Sequence, residues 1–346
     1  MNDRGSKMAT ACNRPPPSSS LHPRPILLAG PTAVGKSGIA LLLAERLNGE
    51  IVSVDSMQVY RGLDIGTAKP SAEERARVPH HLIDVVDVTG PFDAAKFAEL
   101  AHQAVTEIRS RNRLPILCGG TGLYFKAFLD GLGEAPPADE QLRAALRATP
   151  PAELLRELAE SDPATFEKID RLNLRRVIRA VEVIRLTGRP FSAQKARWSR
   201  TPCGSSGALG SPGSPGASPD PGRPFLPSFG LSRSQSDLVN HINERVDGMF
   251  RDGLVAETEQ LLKRGLADNK TAMQALGYRQ VAEHLRGGRS LTETIELVKI
   301  RTRQFAKRQM TWFKRQLSLE WFELKPEDSP DIVAALVEAR IEKTFP

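Results

Sequence analysis

Residues 26–37 read ILLAGPTAVGKS: four apolar residues, then a loop with G-x-x-x-x-G-K-[ST] spacing. An apolar run that ends in glycine and leads through such a loop into a helix N-terminus makes an anion site. Gly30 and Gly35 let the backbone close round a phosphate, Lys36 reaches a terminal phosphate, and the Ser37 hydroxyl is placed to ligate Mg²⁺. Pro31, Thr32, Ala33 and Val34 complete the cradle. Because the motif lies between a strand pattern and a helix pattern, a chance glycine-rich turn is the weaker explanation. Taken alone, the loop implies a kinase or an NTPase. The question is whether the rest of the chain supplies what nucleotide hydrolysis needs.

Outward from this loop, short apolar runs alternate with helical patterns. ILLAG is followed by a helical stretch over 36–47, IVSVD, HLIDVVD at 81–87, a helical stretch over 94–109, PILCGG and a helix from Gly122. β-Branched strands that end in Gly or Asp and alternate with helices predict an α/β fold, a P-loop NTPase-like parallel sheet flanked by helices. Such sheets bind ligands at the carboxyl ends of their strands. Gly30, Asp55 and the segment 119–121 all fall at such ends, so three segments can converge on one site.

After Gly133 the pattern turns helical, with Leu142, Leu146, Leu154, Leu155, Leu158, Val177, Val181 and Ile184 at packing intervals. This predicts an inserted helical domain over 134–200. Residues 201–223, TPCGSSGALGSPGSPGASPDPGR, are too rich in Gly, Ser and Pro to build a core and read as a disordered loop. PSFGLS then returns the chain to the sheet. Helices over 237–265, 271–285 and 291–316 follow, with a last strand in LEWFEL. The catalytic core is thus expected over 25–133 and 224–346, behind a disordered tail of residues 1–24.

No apolar run approaches the roughly 18 residues a membrane span needs. The N-terminal segment lacks the apolar centre of a secretory signal, and PPPSSS breaks any amphipathic transit helix. Cys12, Cys118 and Cys203 form no C-x-x-C pair, which argues against a zinc site or a disulfide framework, and a cytoplasmic protein is expected. The net charge of +7 is unevenly spread. Nine basic residues between Arg171 and Arg200 face only Glu182, and seven between Lys299 and Gln316 face no acid. Solvated helix faces usually mix signs, so these runs point to a polyanionic partner.

Two further segments carry chemistry. Asp55 closes the strand IVSVD, where its carboxylate could take a proton from a ligand, bind Mg²⁺ through water as a Walker-B aspartate does, or cap the next turn. Spacing leaves these three open. In CGGTGLYFKAFLDGL, residues 118–132, two glycines and Thr121 bring backbone and hydroxyl donors close to a ligand, unless Thr121 only caps the helix that follows. Tyr124 and Phe125 read as core.

GPTAVGKS, DSMQVYRGLDIGTAKP, HHLID, GGTGLYFKA, RRVIRAVEV with TGRP, ALGYRQ and RTRQFAKRQMTWF, in this order, resemble the tRNA dimethylallyltransferase (tRNA isopentenyltransferase) family. The likeness spans nearly everything from Pro25 to Phe322, and the segment 55–70 is its most specific part. It implies transfer of a dimethylallyl group from dimethylallyl diphosphate to the exocyclic amine of the adenosine 3′ of the anticodon. The loop 30–37 would then hold the donor diphosphate, with Arg245 of HINERVDGM as its clamp and Mg²⁺ easing departure of pyrophosphate. The same likeness makes Asp55 the base and places Ser56, Met57 and Gln58 beside the target nucleotide. Thr121 falls near both diphosphate and target, and Arg143, Arg175, Arg176, Val177, Ile178 and Arg179 at tRNA-contacting positions. The expected partners are the tRNA anticodon stem-loop and the donor, for a monomer away from membranes. This chain departs from the family pattern in the 201–223 insert and in RLNL at 171–174. Arg233 sits where the family often carries a charge, and no zinc finger follows the core. The competing reading is a small-molecule kinase or NTPase with Arg175 or Arg179 as a lid arginine. A non-catalytic RNA-binding protein is disfavoured by the intact Lys36, Ser37, Asp55 and Thr121.

Overall fold

A computed structural model describes residues 24–194 and 226–344 of the chain. The expectations for the tail 1–24, apart from its last residue Arg24, and for the loop 201–223 lie outside the described residues, as do Lys195, Arg197, Arg200, Cys12 and Cys203.

The N-terminal part alternates as its sequence pattern demands: β1 (Ile26–Ala29), α1 (Lys36–Arg46), β2 (Gly49–Val54), α2 (Ala72–Arg77), β3 (His80–His81), α3 (Ala94–Ser110), β4 (Leu114–Gly119) and α4 (Gly122–Asp130). Five helices follow before the chain returns to the sheet: α5 (Glu140–Ala148), α6 (Pro151–Ser161), α7 (Pro163–Lys168), α8 (Leu174–Thr187) and α9 (Phe191–Gln194). The C-terminal part holds β5 (Ser228–Arg233), α10 (Gln235–Arg251), α11 (Leu254–Lys263), α12 (Tyr278–Leu285), α13 (Leu291–Gln316), β6 (Glu320–Leu324) and α14 (Pro330–Thr344).

All strand pairs are parallel and run in the order β3-β2-β4-β1-β5-β6. The two faces of β1 show why the sheet is buried on both sides. Leu27 and Ala29 join a core with Val52, Val54, Leu117, Phe97 and Val105 of α3, Phe125 of α4 and Tyr278 of α12. Ile26 and Leu28 join the opposite core with Ile51, Ile116, Ile39 and Leu43 of α1, and Val333 and Val337 of α14. A strand covered by helices on both faces has to be apolar at consecutive positions, as ILLA is. The five intervening helices build a separate core from Leu146, Leu154, Leu158, Val177, Ala180 and Val181. No helix of the described residues is long and apolar enough to cross a membrane.

Three expectations need correction. The strand HLIDVVD shrinks to His80–His81, paired with Ile51 and Val52. Beyond it Leu82 (φ 63°) and Asp84 (φ 57°) turn left-handed and end the ladder, and only an isolated bridge joins Val86 to Tyr60. Asp84 is held in that turn by Lys69 (2.6 Å) and Arg75 (2.9 Å). The helix over 237–265 is two helices, because Gly253 at φ 103° cannot continue α10. That over 271–285 is a short 3₁₀ turn, Ala272–Gln274, then α12, with Gly277 at φ 94° between them. In both places an L-residue would be strained, and the periodicity of the apolar residues runs on across the break.

Candidate active site

The loop after β1 forms as its glycines predict. Ala33 (φ 63°) and Gly35 (φ 103°) are left-handed, which turns successive amides toward one side. The amides of Ala33, Val34 and Gly35 donate to no protein acceptor among the described residues. Lys36 opens α1, and its Nζ donates to the Pro31 carbonyl at 2.6 Å, folding the side chain back over the loop. Desolvation lowers the Lys36 pKa to about 8, with Arg245 pushing the same way and Cys118 and Asp55 opposing. An anion brought beside a cation so placed would favour its charged form. The Ser37 hydroxyl is exposed and makes no hydrogen bond among the described residues.

Asp55 lies just past β2, and its Oδ1 accepts from the amides of Met57 (2.7 Å) and Gln58 (3.2 Å). The turn-capping role raised by the sequence is therefore real, but it occupies one oxygen. Oδ2 accepts nothing among the described residues and remains available for chemistry. Thr121 does not cap α4 with its side chain. Its Oγ1 instead accepts from the Ser56 amide at 3.1 Å, which ties the end of β4 to the turn after β2. Accepting that bond leaves the Thr121 hydroxyl proton free to donate. Met57 and Ser56 are partly buried here. Gln58 is structural in this geometry: its Oε1 accepts from Ser53 and its Nε2 donates to the carbonyls of Thr67 and Ala68.

Arg245, from α10, reaches the same region. Its Nη2 donates to the Thr67 carbonyl at 3.5 Å, desolvation lowers its pKa, and Asp55 opposes that shift. Lys36, Asp55 and Arg245 are thus close enough for each charge to feel the others. A cleft of about 510 Å³ opens beside Arg245, bordered by Ile65, Ala68, Lys69, Arg75 and Met249.

Several supporting side chains escaped the sequence reading. Arg233, left unassigned there, donates to the Val34 carbonyl (3.1 Å) and pairs with Asp237 (2.7 Å), bracing the phosphate loop from behind. Glu257 accepts from the Ile65 amide, and Tyr278 links Glu257 to the Gly66 amide, so the segment 62–70 hangs on α11 and α12. Gln309 of α13 accepts from the Thr32 amide and donates to the Gly120 carbonyl. The contacts that reach the loops span 189 to 277 residues, so no local pattern announces them.

The arginines expected to meet RNA divide. Glu182 is fully buried, and Arg143 (2.9 Å) and Arg179 (2.7 Å) both pair with it. Burial pushes the Glu182 carboxyl up, but Arg179, the Asp139 amide and Arg143 outweigh that and hold it below the ordinary range. The single acid in that basic stretch therefore consumes two arginines in joining α5 to α8. Arg175 donates to Gln274 of the catalytic core at 2.6 Å. The Arg176 side chain is exposed and makes no bond among the described residues. Val177 corrects the expectation: its side chain is 0% exposed in the core of the inserted helices and cannot touch RNA. Ile178 packs against the same core. On α13, Lys307, Arg308, Lys314 and Arg315 are exposed, with no acid paired to them among the described residues.

Fold and site together define an α/β protein with a P-loop-like fold, in which a glycine-rich loop, a strand-end carboxylate and Thr121 lie at neighbouring strand ends and an inserted set of helices carries exposed arginines. The comparisons narrow this. Residues 58–316 match the family model described as IPP transferase. The tRNA dimethylallyltransferase 1 of Trichlorobacter lovleyi is 43% identical over 91% of this chain and 98% of its own length. The tRNA dimethylallyltransferase of Geobacter metallireducens is 44% identical over 87% and 92%. Among solved structures, the tRNA isopentenylpyrophosphate transferase of Bacillus halodurans aligns at 38% identity with TM-score 0.62, covering 92% of this chain and 97% of that one. A eukaryotic dimethylallyltransferase caught acting on tRNA aligns at 25% identity with TM-score 0.73, over 93% and 79%. The chain belongs to the IPP transferase family. That membership, and not a kinase family, answers the question raised by the phosphate loop.

Proposed function

We propose that this chain transfers a dimethylallyl group from dimethylallyl diphosphate to the N6 amine of the adenosine 3′ of the anticodon, releasing diphosphate. The observation that carries this is the convergence of three strand ends. The phosphate loop follows β1, Asp55 follows β2 and Thr121 follows β4, and these strands are neighbours in the sheet. The donor diphosphate lies on the amides of the loop 30–37, with Lys36 and Arg245 as counter-charges. Nothing in the donor needs hydrolysis, and the loop acts as a leaving-group holder.

The adenine must leave its stack to reach this site. Its N6 forms a bond to the allylic carbon as the carbon–oxygen bond to diphosphate breaks, and the electron pair leaves with the diphosphate. The N6 proton passes to the free oxygen of Asp55. Thr121 is placed to donate its hydroxyl proton to substrate while it holds Ser56. Magnesium would supply charge neutralisation on the diphosphate. Ser37, exposed and unengaged at the start of α1, fits as its protein ligand. Arg175 and Arg176, with the exposed cations of α13, are the groups best placed to meet the anticodon stem-loop. A cytoplasmic monomer is the accompanying reading.

The test is incubation with dimethylallyl diphosphate, Mg²⁺ and unmodified tRNA, followed by nucleoside analysis. Prenylated adenosine is expected, with little turnover of ATP. Robust ATP hydrolysis without tRNA, and no prenylated nucleoside, would return the kinase reading.

A further inference from the structure

We propose that Gln309 is a positioning residue that fixes the spacing between the donor loop and the acceptor loop. Its side-chain amide bridges two segments that are distant in sequence and lie beyond the paired ends of β1 and β4, while on its β2 side the 119–122 turn is tied by the Thr121 amide to the Val54 carbonyl at 3.1 Å. Oε1 accepts from the Thr32 amide at 2.9 Å, and Nε2 donates to the Gly120 carbonyl at 2.8 Å. The residue is 8% exposed, so water is a poor substitute for either partner. Only one orientation of the amide satisfies an N–H donor and a carbonyl acceptor together, and neither Leu nor an ionised Glu offers both at this length.

The surroundings are shaped to this contact. A Cβ on Gly120 would lie 2.4 Å from Nε2. One turn along α13, Trp312 occupies the space a Cβ on Gly122 would need, at 2.1 Å. The helix therefore bears on the 119–122 turn at two points, and both need glycine to approach. From Gly120 the connection continues through Thr121, whose hydroxyl takes the Ser56 amide next to Asp55. Two side chains in series, Gln309 and Thr121, thus link the loop proposed to hold the donor to the turn that carries Asp55. The sheet fixes where β1, β2 and β4 end, and Gln309 fixes how the loops beyond them face each other.

This proposal rests on the assignment of the loop 30–37 to the donor and of Asp55 to the adenine. It predicts a loss confined to the step that needs both loops in register. Gln309→Leu removes both bonds, and Gln309→Glu keeps the acceptor for Thr32 but sets a carboxylate against the Gly120 carbonyl. For each variant the single-turnover rate at saturating substrates is expected to fall about 10- to 100-fold, the scale of a misplacement near 1 Å, while the separate dissociation constants for dimethylallyl diphosphate and tRNA move less than about threefold. An unchanged rate, or a rate loss matched by lost donor affinity, would overturn the proposal. A second measurement needs no variant. In the unliganded parent protein the Thr32 amide should exchange hydrogen far more slowly than the amides of Ala33 and Gly35, which have no acceptor. Equal exchange would mean that the bridge is not formed. If the parent protein made no prenylated nucleoside, the functional assignment would fail, and Thr32 protection would still report on the bridge.

Discussion

Replacing Asp55 by asparagine separates its chemistry from its architecture. The carboxamide oxygen of asparagine can still accept from the Met57 and Gln58 amides, so the turn after β2 should survive. Trading a charged acceptor for a neutral one weakens those bonds by about 1 kcal/mol at most. The free oxygen, in contrast, becomes a carboxamide NH₂, which donates and cannot take a proton. Loss of a general base costs ~10²–10⁴ in rate, or about 3–5 kcal/mol of barrier. Asp55→Asn is therefore expected to lower single-turnover transfer by two to four orders of magnitude on that scale. Donor affinity should change by only a few-fold, because in the proposed arrangement the diphosphate would rest on backbone amides, Lys36 and Arg245. The comparison belongs below pH 7, since the Asp55 charge helps keep Lys36 protonated and its removal would make that lysine titrate earlier. The assay is quenched single turnover with nucleoside analysis, alongside equilibrium donor binding, across a Mg²⁺ titration. Recovery of rate by added Mg²⁺, together with weak donor binding, would identify Asp55 as a metal residue and refute its role as base.

Lys36 gives a pH test: with its pKa lowered to about 8, its charged form is lost as pH rises through that value, so donor affinity should be flat below pH 7.5 and weaken above about 8. Lys36→Met should remove that dependence, and a parent protein with flat affinity to pH 9.5 would mean the lysine does not touch the diphosphate. Arg176→Ala should reduce the log–log salt slope of tRNA binding by roughly 0.7–0.9 and leave thermal stability unchanged. Arg179→Ala should instead lower stability by about 1–3 kcal/mol, because it strips a partner from the fully buried Glu182; a reversed pattern, read by melting and salt-dependent binding, would invert their roles.

The chain's own alternation of apolar runs and helical periods determined a parallel sheet covered on both faces, because a doubly buried strand has to be apolar at every position. The phosphate loop was equally legible, since glycine spacing, a strand before it and a helix after it are all local. The segment 55–70 and the basic runs identified the family through residue identity. Periodicity could not see where left-handed backbone interrupts an element, so the breaks at Leu82, Gly253 and Gly277 emerged only in three dimensions. Nor could it tell an arginine that meets a phosphate from one spent on a buried glutamate, because Glu182 reaches Arg143 across 39 residues. The same holds for Gln309, Arg233 and Tyr278: each acts on a loop far away in sequence through a backbone amide or carbonyl, a partner that carries no side-chain identity. Which residues are able to do the chemistry is written in the sequence. How they are held in register is decided by the tertiary structure, because the groups that hold them are backbone atoms brought close only when the sheet and α13 pack together.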